Sequence, residues 1–268
     1  MRDIIEICFR SDYMAKFQQN QSGSPCVLEG MTSISALLHS REDGINDRPI
    51  NRVLVALSKQ RSKYREIGYL KANAEKHGYK LEFCDDQIIE SLASGTTHGG
   101  ILAICGERAY KDCSTLPSGG FWMLLDGIED PYNLGYTLRS LYAAGVDGVV
   151  MPIHNRLCAT GTVAKSSAGT SELLDIRVAE PEDAIRAFKA QGYRIVCAGI
   201  RDSVSIYEAD LKKPVLLIVG GEKRGISRNV LDMADQIVRI DYGRTFNGSL
   251  SAASATTVIA FEVLHQNS

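Results

Sequence analysis

A chain of 268 residues holds one large or two ordinary domains, and its 44% apolar residues give ample material for packed cores, which excludes intrinsic disorder. A formal net charge of −2 means that overall charge does not mark a nucleic-acid binder, so any such surface has to be local. The 7 cysteines form no Cys-x-x-Cys pair and no close Cys/His cluster, and the longest apolar runs, such as residues 215–219, are far too short to span a bilayer. Residues 1–10 are broken by charge and do not read as a secretory segment. Reduced thiols in a cytoplasmic protein, with no metal and no membrane segment, are therefore expected.

Residues 1–26 are weakly patterned, and 18–24 read as a polar loop. From Val27 a βα alternation begins. A short strand over 27–30 and a short helix over 32–39 come first, followed by a clear strand over 53–57. The spacing predicts a helix over 62–77, with Ile67, Leu70 and Ala74 on one face and Gly78 as its stop. A strand over 79–83 follows, then a helix capped by Asp85 or Asp86, then a strand over 101–104. This order favours a small α/β domain. Six basic residues lie between Arg48 and Arg65 with no acid among them: Arg48, Arg52, Lys59, Arg61, Lys63 and Arg65. They are either a solvated face or a contact for an RNA backbone; Arg52, Lys59, Arg61, Lys63 and Arg65 are the candidates for the latter. His98, beside two glycines, reads as a turn residue. Residues 111–120, with Pro117, Gly119 and Gly120, read as a linker. The expected division is 1–112 as a first α/β domain, 113–120 as linker and 121–268 as a second α/β domain.

The second part opens with an apolar strand over 121–125. Acids and Pro131 end it, Asn133 stands where a helix would be capped, and Leu134, Leu138, Leu141 and Tyr142 form an apolar face before Gly145. Strands are expected over 148–151, 176–178, 194–198, 215–219 and 237–240. Helices are expected over 159–167, over 181–189 with a proline at its start, and over 249–264 with Leu250, Val258, Phe261 and Leu264 buried. Residues 241–248 read as a loop. The strand over 215–219 runs into Gly220, Gly221, Glu222 and Gly225, a turn that is neither a P-loop nor a dinucleotide-binding fingerprint. That disfavours a general nucleotide-binding protein.

Three stretches carry a resemblance, in this order: residues 133–139 (Asn133 to Arg139), residues 220–226 with Gly220, Glu222 and Gly225, and Ile240 followed after a loop by Ser249, Leu250 and Ser251. They resemble the signature motifs of the SpoU/TrmH family of RNA ribose 2'-O-methyltransferases, within the SPOUT superfamily. The third departs from the pattern: Ser251 stands for the usual asparagine, and Asp241 and Tyr242 stand for Pro-Met. Residues 98–101 and 166–172 resemble weaker family segments.

The resemblance implies an α/β chain whose C-terminal domain is a SPOUT methyltransferase domain with a parallel sheet and a trefoil knot near 200–268. A small ribosomal-protein-like RNA-binding domain would precede it. It implies S-adenosylmethionine as methyl donor, the ribose 2'-hydroxyl of a structured ribosomal or transfer RNA as acceptor, and a homodimer through the C-terminal domain. Asn133, Arg139, Glu222 and Ser249 would be catalytic. Gly199, Gly220, Gly221, Glu222, Gly225, Ile240, Ser249, Leu250 and Ser251 would hold the cofactor. A catalytically impaired RNA-binding protein that retains the fold is the alternative, motivated by Ser251.

Overall fold

The computed structural model describes residues 26–152 and 160–268, and the backbone of Ile5–Cys8. The expected loop over 18–24 lies outside the described residues, as do the side chains of Cys8 and Cys158. The chain forms two compact units.

The first unit carries strands β1 (Ile5–Cys8), β2 (Cys26–Glu29), β3 (Ile50–Ala56), β4 (Lys80–Cys84) and β5 (Ile101–Cys105), in the order β1-β4-β3-β5-β2. β1, β4 and β3 run parallel, whereas β5 is antiparallel to both β3 and β2. Strand β1 has no counterpart in the sequence reading, because four residues without a flanking turn signal carry too little pattern. The helices Gly30–Glu42, Tyr64–His77 and Asp86–Leu92 cover the sheet. The second of these buries Ile67, Leu70 and Ala74 and ends on Gly78 at φ 74°, a left-handed stop that favours glycine. Asp85 caps the third by accepting from Gln87 N at 2.9 Å.

The first unit also takes in residues 160–173, which the sequence reading assigned to the second domain. Here the helix Thr160–Ser166 packs on β2 and Thr170–Leu173 on Gly30–Glu42, and Ala164 joins that unit's core. The small residues are there for close approach. A Cβ on Gly161 would strike Val27 O, and one on Gly169 would meet Ala36 Cβ and Thr32 O. A buried ion pair completes the join: Arg48 Nε lies 2.9 Å from Glu172 Oε2, with side chains 3% and 2% exposed, and Asn46 Nδ2 donates to the same carboxylate at 2.7 Å. Lys165 Nζ meets Glu29 Oε2 at 2.8 Å.

The second unit is a seven-stranded, all-parallel sheet in the order β10-β12-β9-β11-β6-β7-β8. Its strands are β6 (Phe121–Asp126), β7 (Gly148–Met151), β8 (Asp175–Val178), β9 (Arg194–Ala198), β10 (Val204–Ser205), β11 (Val215–Gly220) and β12 (Gln236–Arg239). The central β11 and β6 are apolar throughout and wholly buried but for their last residues. Burial on both faces explains the unbroken runs. Trp122, Phe188 and Tyr193 stack in one core cluster, and a fully buried side chain of this size contributes about 2–3 kcal/mol.

The expected linker is fastened to this unit. The Arg177 guanidinium donates to Asp112 O at 3.1 Å and to Thr115 O, and lies 5.3 Å from the Trp122 ring centroid, while the Tyr193 hydroxyl sits against the carbonyls of Pro117 and Gly119, to one of which its single O–H donates.

Two expectations for helices in this unit are corrected. The helix Pro131–Ala143 starts two residues before Asn133. Asp130 is its cap, accepting from Asn133 N at 2.8 Å, with Pro131 in the first turn. Asn133 is therefore inside the helix, and Arg139 lies more than two turns in. The last helix is Ala252–Gln266, with Ser251 as cap, so Ser249 and Leu250 precede it. It buries Ala252, Thr256, Ile259, Ala260 and Val263, whereas Phe261 and Leu264 are exposed.

Candidate functional site

In an open parallel sheet, ligands gather outside the carboxyl ends of strands, where the strand order reverses. From β6 the chain steps outward through β7 and β8, and the later strands β11, β9 and β12 lie on its other side. The loops after β6, β11, β9 and β12 thus emerge side by side. They carry Gly127, then Gly221 to Gly225, then Gly199, then residues 240–250.

Glu222 joins these loops. Its Oε1 accepts from Asn133 Nδ2 at 3.4 Å and from Ala252 N at 3.3 Å. One carboxylate thereby links the first turn of Pro131–Ala143 to the first turn of Ala252–Gln266. The glycines of this loop answer to the loop's own packing. A Cβ on Gly220 would strike the backbone of Gly225 and Ile226, and one on Gly221 would strike Gly127 O. Gly221 N donates to Asp126 O at 2.6 Å and Gly225 N to Gly221 O at 2.9 Å, closing the turn. Gly225, at φ 62°, has the left-handed backbone that the turn requires.

Two cavities meet at this carboxylate. The larger, about 560 Å³, is lined by Gly199, Gly220, Gly221, Glu222, Gly225, Ile240, Ser249 and Leu250, with an aliphatic wall that includes Ile226, Leu231, Val238 and Ile259. The smaller, about 350 Å³, is lined by Asn133, Asp130, Gly221, Glu222, Lys223, Arg224 and Gly225 among others. Eight of the expected cofactor residues thus share one cavity. Ser251 does not line it: its Oγ accepts from Ser254 N at 3.2 Å and caps the last helix. Arg139 lines neither cavity and is exposed, about 9 Å further along its helix than Asn133. Cys197, next to the cavity-lining Ala198, is buried, and burial pushes its thiol up to about 12.

The sequence reading missed Asp130, Tyr242 and Phe246. The cap was legible in the Asp130-Pro131 pair. The aromatics had as their signal two large rings four residues apart in an otherwise polar loop.

In the first unit, Lys59, Arg61 and Arg65 are exposed around the turn that follows β3, with Lys63 half-buried and 2.7 Å from Glu66. Arg48 and Arg52 do not belong to this cluster. Arg48 is buried against Glu172, and Arg52 Nη1 lies 3.8 Å from the buried Glu82 within the sheet. An opposite charge inside the domain faces each of these two. His98 Nδ1 accepts from Gly100 N at 3.0 Å, a turn contact. Among the described residues no cluster of His, Cys, Asp or Glu is arranged to hold a metal, and no helix is long and apolar enough to cross a membrane.

Comparison with known proteins adds to this geometry. The model of the SpoU rRNA Methylase family matches residues 120–261, and the model for RNA 2'-O ribose methyltransferase substrate binding matches residues 27–111. A 23S rRNA (guanosine-2'-O-)-methyltransferase RlmB of Shewanella oneidensis is 27% identical over 248 residues, covering 90% of this chain and 97% of its own. A putative TrmH family tRNA/rRNA methyltransferase of Staphylococcus saprophyticus is 30% identical over 234 residues, covering 84% of this chain and 92% of its own. Among solved structures, an AdoMet-bound rRNA methyltransferase from Sinorhizobium meliloti superposes with a TM-score of 0.78 at 20% identity, covering 97% of each chain. The SpoU methyltransferase AviRb from Streptomyces viridochromogenes, in complex with AdoMet, does so with a TM-score of 0.74 at 19% identity, covering 96% of this chain and 94% of its own.

Proposed function

From the premise that this chain belongs to the SpoU rRNA methylase family, whose model matches residues 120–261, we propose that it transfers a methyl group from S-adenosylmethionine to a ribose 2'-hydroxyl of structured RNA. The observation that carries the reading is Glu222, which ties the loop after β11 to Asn133 and to the last helix where the two cavities meet. The residues fit the donor. An adenosyl group needs apolar walls and backbone groups, and the larger cavity offers both, at a volume suited to a small molecule. The donor's sulfonium supplies an already activated methyl. The chain has to align the acceptor oxygen and manage its proton.

In this reading Asn133 and Glu222 orient the ribose, and Ser249 and Leu250 border the donor. Arg139 clamps the adjacent phosphate and stabilises developing alkoxide. A guanidinium stays protonated to about pH 12 or above, so Arg139 is not a literal base. Lys59, Arg61, Lys63 and Arg65 meet the RNA backbone from the first unit, which the match to a substrate-binding family supports.

The reading extends to a trefoil knot over about 200–268, to a ribosomal-protein-like first unit, to a cytoplasmic location and to a homodimer. The dimer is supported by the exposed Tyr132, Tyr136 and Tyr142 on one helix and Phe261 and Leu264 on the helix packed beside it.

The test is incubation with methyl-labelled S-adenosylmethionine and unmodified ribosomal and transfer RNA transcripts, followed by alkaline hydrolysis. Label in alkali-resistant dinucleotides is the expected result. S-adenosylmethionine binding and RNA binding without transfer would replace the reading by the impaired protein that Ser251 suggested.

A further inference from the structure

Asp241 and Tyr242, just after β12, lie on the rim of the larger cavity. Tyr242 and Phe246 are the only aromatic side chains among the described residues that line it. Their ring centroids are 5.9 Å apart with planes at 55°, and they are 40% and 58% exposed.

Both are held in place. Tyr242 Oη accepts from Leu250 N at 3.2 Å, closing the two ends of the loop on each other. The Phe246 ring lies over Gly248, where a Cβ would strike it. Next to Tyr242, Asp241 is anchored by Arg239 Nε at 2.8 Å. Large exposed rings held by such contacts are pre-organised, so binding does not have to order them first. The wall that includes Ile226, Leu231 and Ile259 is aliphatic. A planar base between an aliphatic wall and an aromatic rim buries both of its faces.

We infer that Tyr242 and Phe246 form a stacking rim for the adenine of S-adenosylmethionine. The inference rests on the reading that the larger cavity holds the methyl donor. The rings supply contact area and the Tyr242 hydroxyl only fixes the loop, so the aromatic faces matter more than the oxygen.

The test is calorimetric titration of the whole protein with S-adenosylhomocysteine and with 5'-methylthioadenosine, which keeps the adenine but lacks the amino-acid end. Wild type, Tyr242→Phe, Tyr242→Ala and Phe246→Ala are compared. Both alanine variants are expected to bind both probes about tenfold more weakly. Tyr242→Phe should stay within about threefold of wild type. The two positions are exposed, so melting temperatures should not move; should Tyr242→Ala fail to fold, Phe246→Ala carries the test. Wild-type affinity in the alanine variants overturns the rim. So does weaker RNA affinity with unchanged affinity for both probes, which would give the rings to an RNA base. A loss in Tyr242→Phe equal to that in Tyr242→Ala also overturns it, by making the hydroxyl the important group. Absence of probe binding by wild type removes the donor from the cavity, a failure distinct from that of the rim.

Discussion

Glu222 and Ala252, 30 positions apart, meet at one oxygen: Glu222 Oε1 accepts the Ala252 N–H at 3.3 Å. The start of the last helix is thereby tied to the loop after β11. Glu222→Ala removes the acceptor shared by Ala252 and Asn133, and is expected to lower the rate of methyl transfer about a hundredfold through misplacement of these elements. Glu222→Gln keeps a carbonyl oxygen there and should retain more activity. Initial rates of methyl incorporation check both.

Arg139 is exposed and lines neither cavity. Arg139→Ala should therefore leave stability within about 0.5 kcal/mol of wild type, while methyl transfer falls at least a hundredfold, roughly the loss expected for a group aimed at developing charge. Arg139→Lys should not restore the rate, because an ammonium lacks the planar fork. Full activity in Arg139→Lys would falsify the bidentate clamp.

Ser251 caps the last helix. Ser251→Ala should cost about 1 kcal/mol in urea denaturation, while Ser251→Asn, an equally good cap, should cost nothing measurable. Any gain in donor affinity in Ser251→Asn would then be an effect on the site and not on stability.

The Arg48–Glu172 pair is almost fully buried. Glu172→Ala leaves a buried guanidinium with less compensation and should destabilise the first unit by about 3–5 kcal/mol. Replacing both residues by apolar ones of similar volume should cost much less. Denaturant titrations of the single and double variants distinguish the two outcomes.

Burial alone would raise the Glu29 carboxyl, but hydrogen bonds from Lys165 and from the side chain and N–H of Ser94 outweigh it and hold it below the ordinary carboxylate value. A carboxyl that is more acidic in the folded state contributes stability above its unfolded value and loses it as pH falls through the folded one. The first unit should accordingly weaken below about pH 4, and Glu29→Gln should flatten that part of the pH–stability curve.

Much of this fold was legible because its central strands are buried on both sides. The runs at 194–198 and 215–219 could be little else. The last helix was legible as a helix but its inner face was not, since Ala252–Gln266 is apolar nearly all round and periodicity alone cannot choose that face. There the small Ala252, Thr256 and Ala260 turned inward, leaving Phe261 outside. Asn133 was read as a cap because it is a good one, yet Asp130 followed by Pro131 is better placed to start the helix. The glycine-rich turn drew attention as a possible ligand loop, whereas its own backbone crowding already requires Gly220 and Gly221. Arg48 and Arg52 counted as surface charge because their partners, Glu172 and Glu82, are distant in sequence.

The placement of 160–173 has a consequence for dissecting the molecule. Between β7 and β8 the polypeptide leaves the sheet of the second unit, contributes two short helices to the first, and comes back. The halves are therefore not beads on a string, and no single cut separates them. A fragment ending at 109 would strand Arg48 and Lys165's partner Glu29 without their counter-charges, and the complementary fragment would carry Glu172 with nothing to receive it. Truncations at the apparent linker would yield insoluble or poorly folded pieces, and a graft of the first unit onto another enzyme would have to bring this excursion with it.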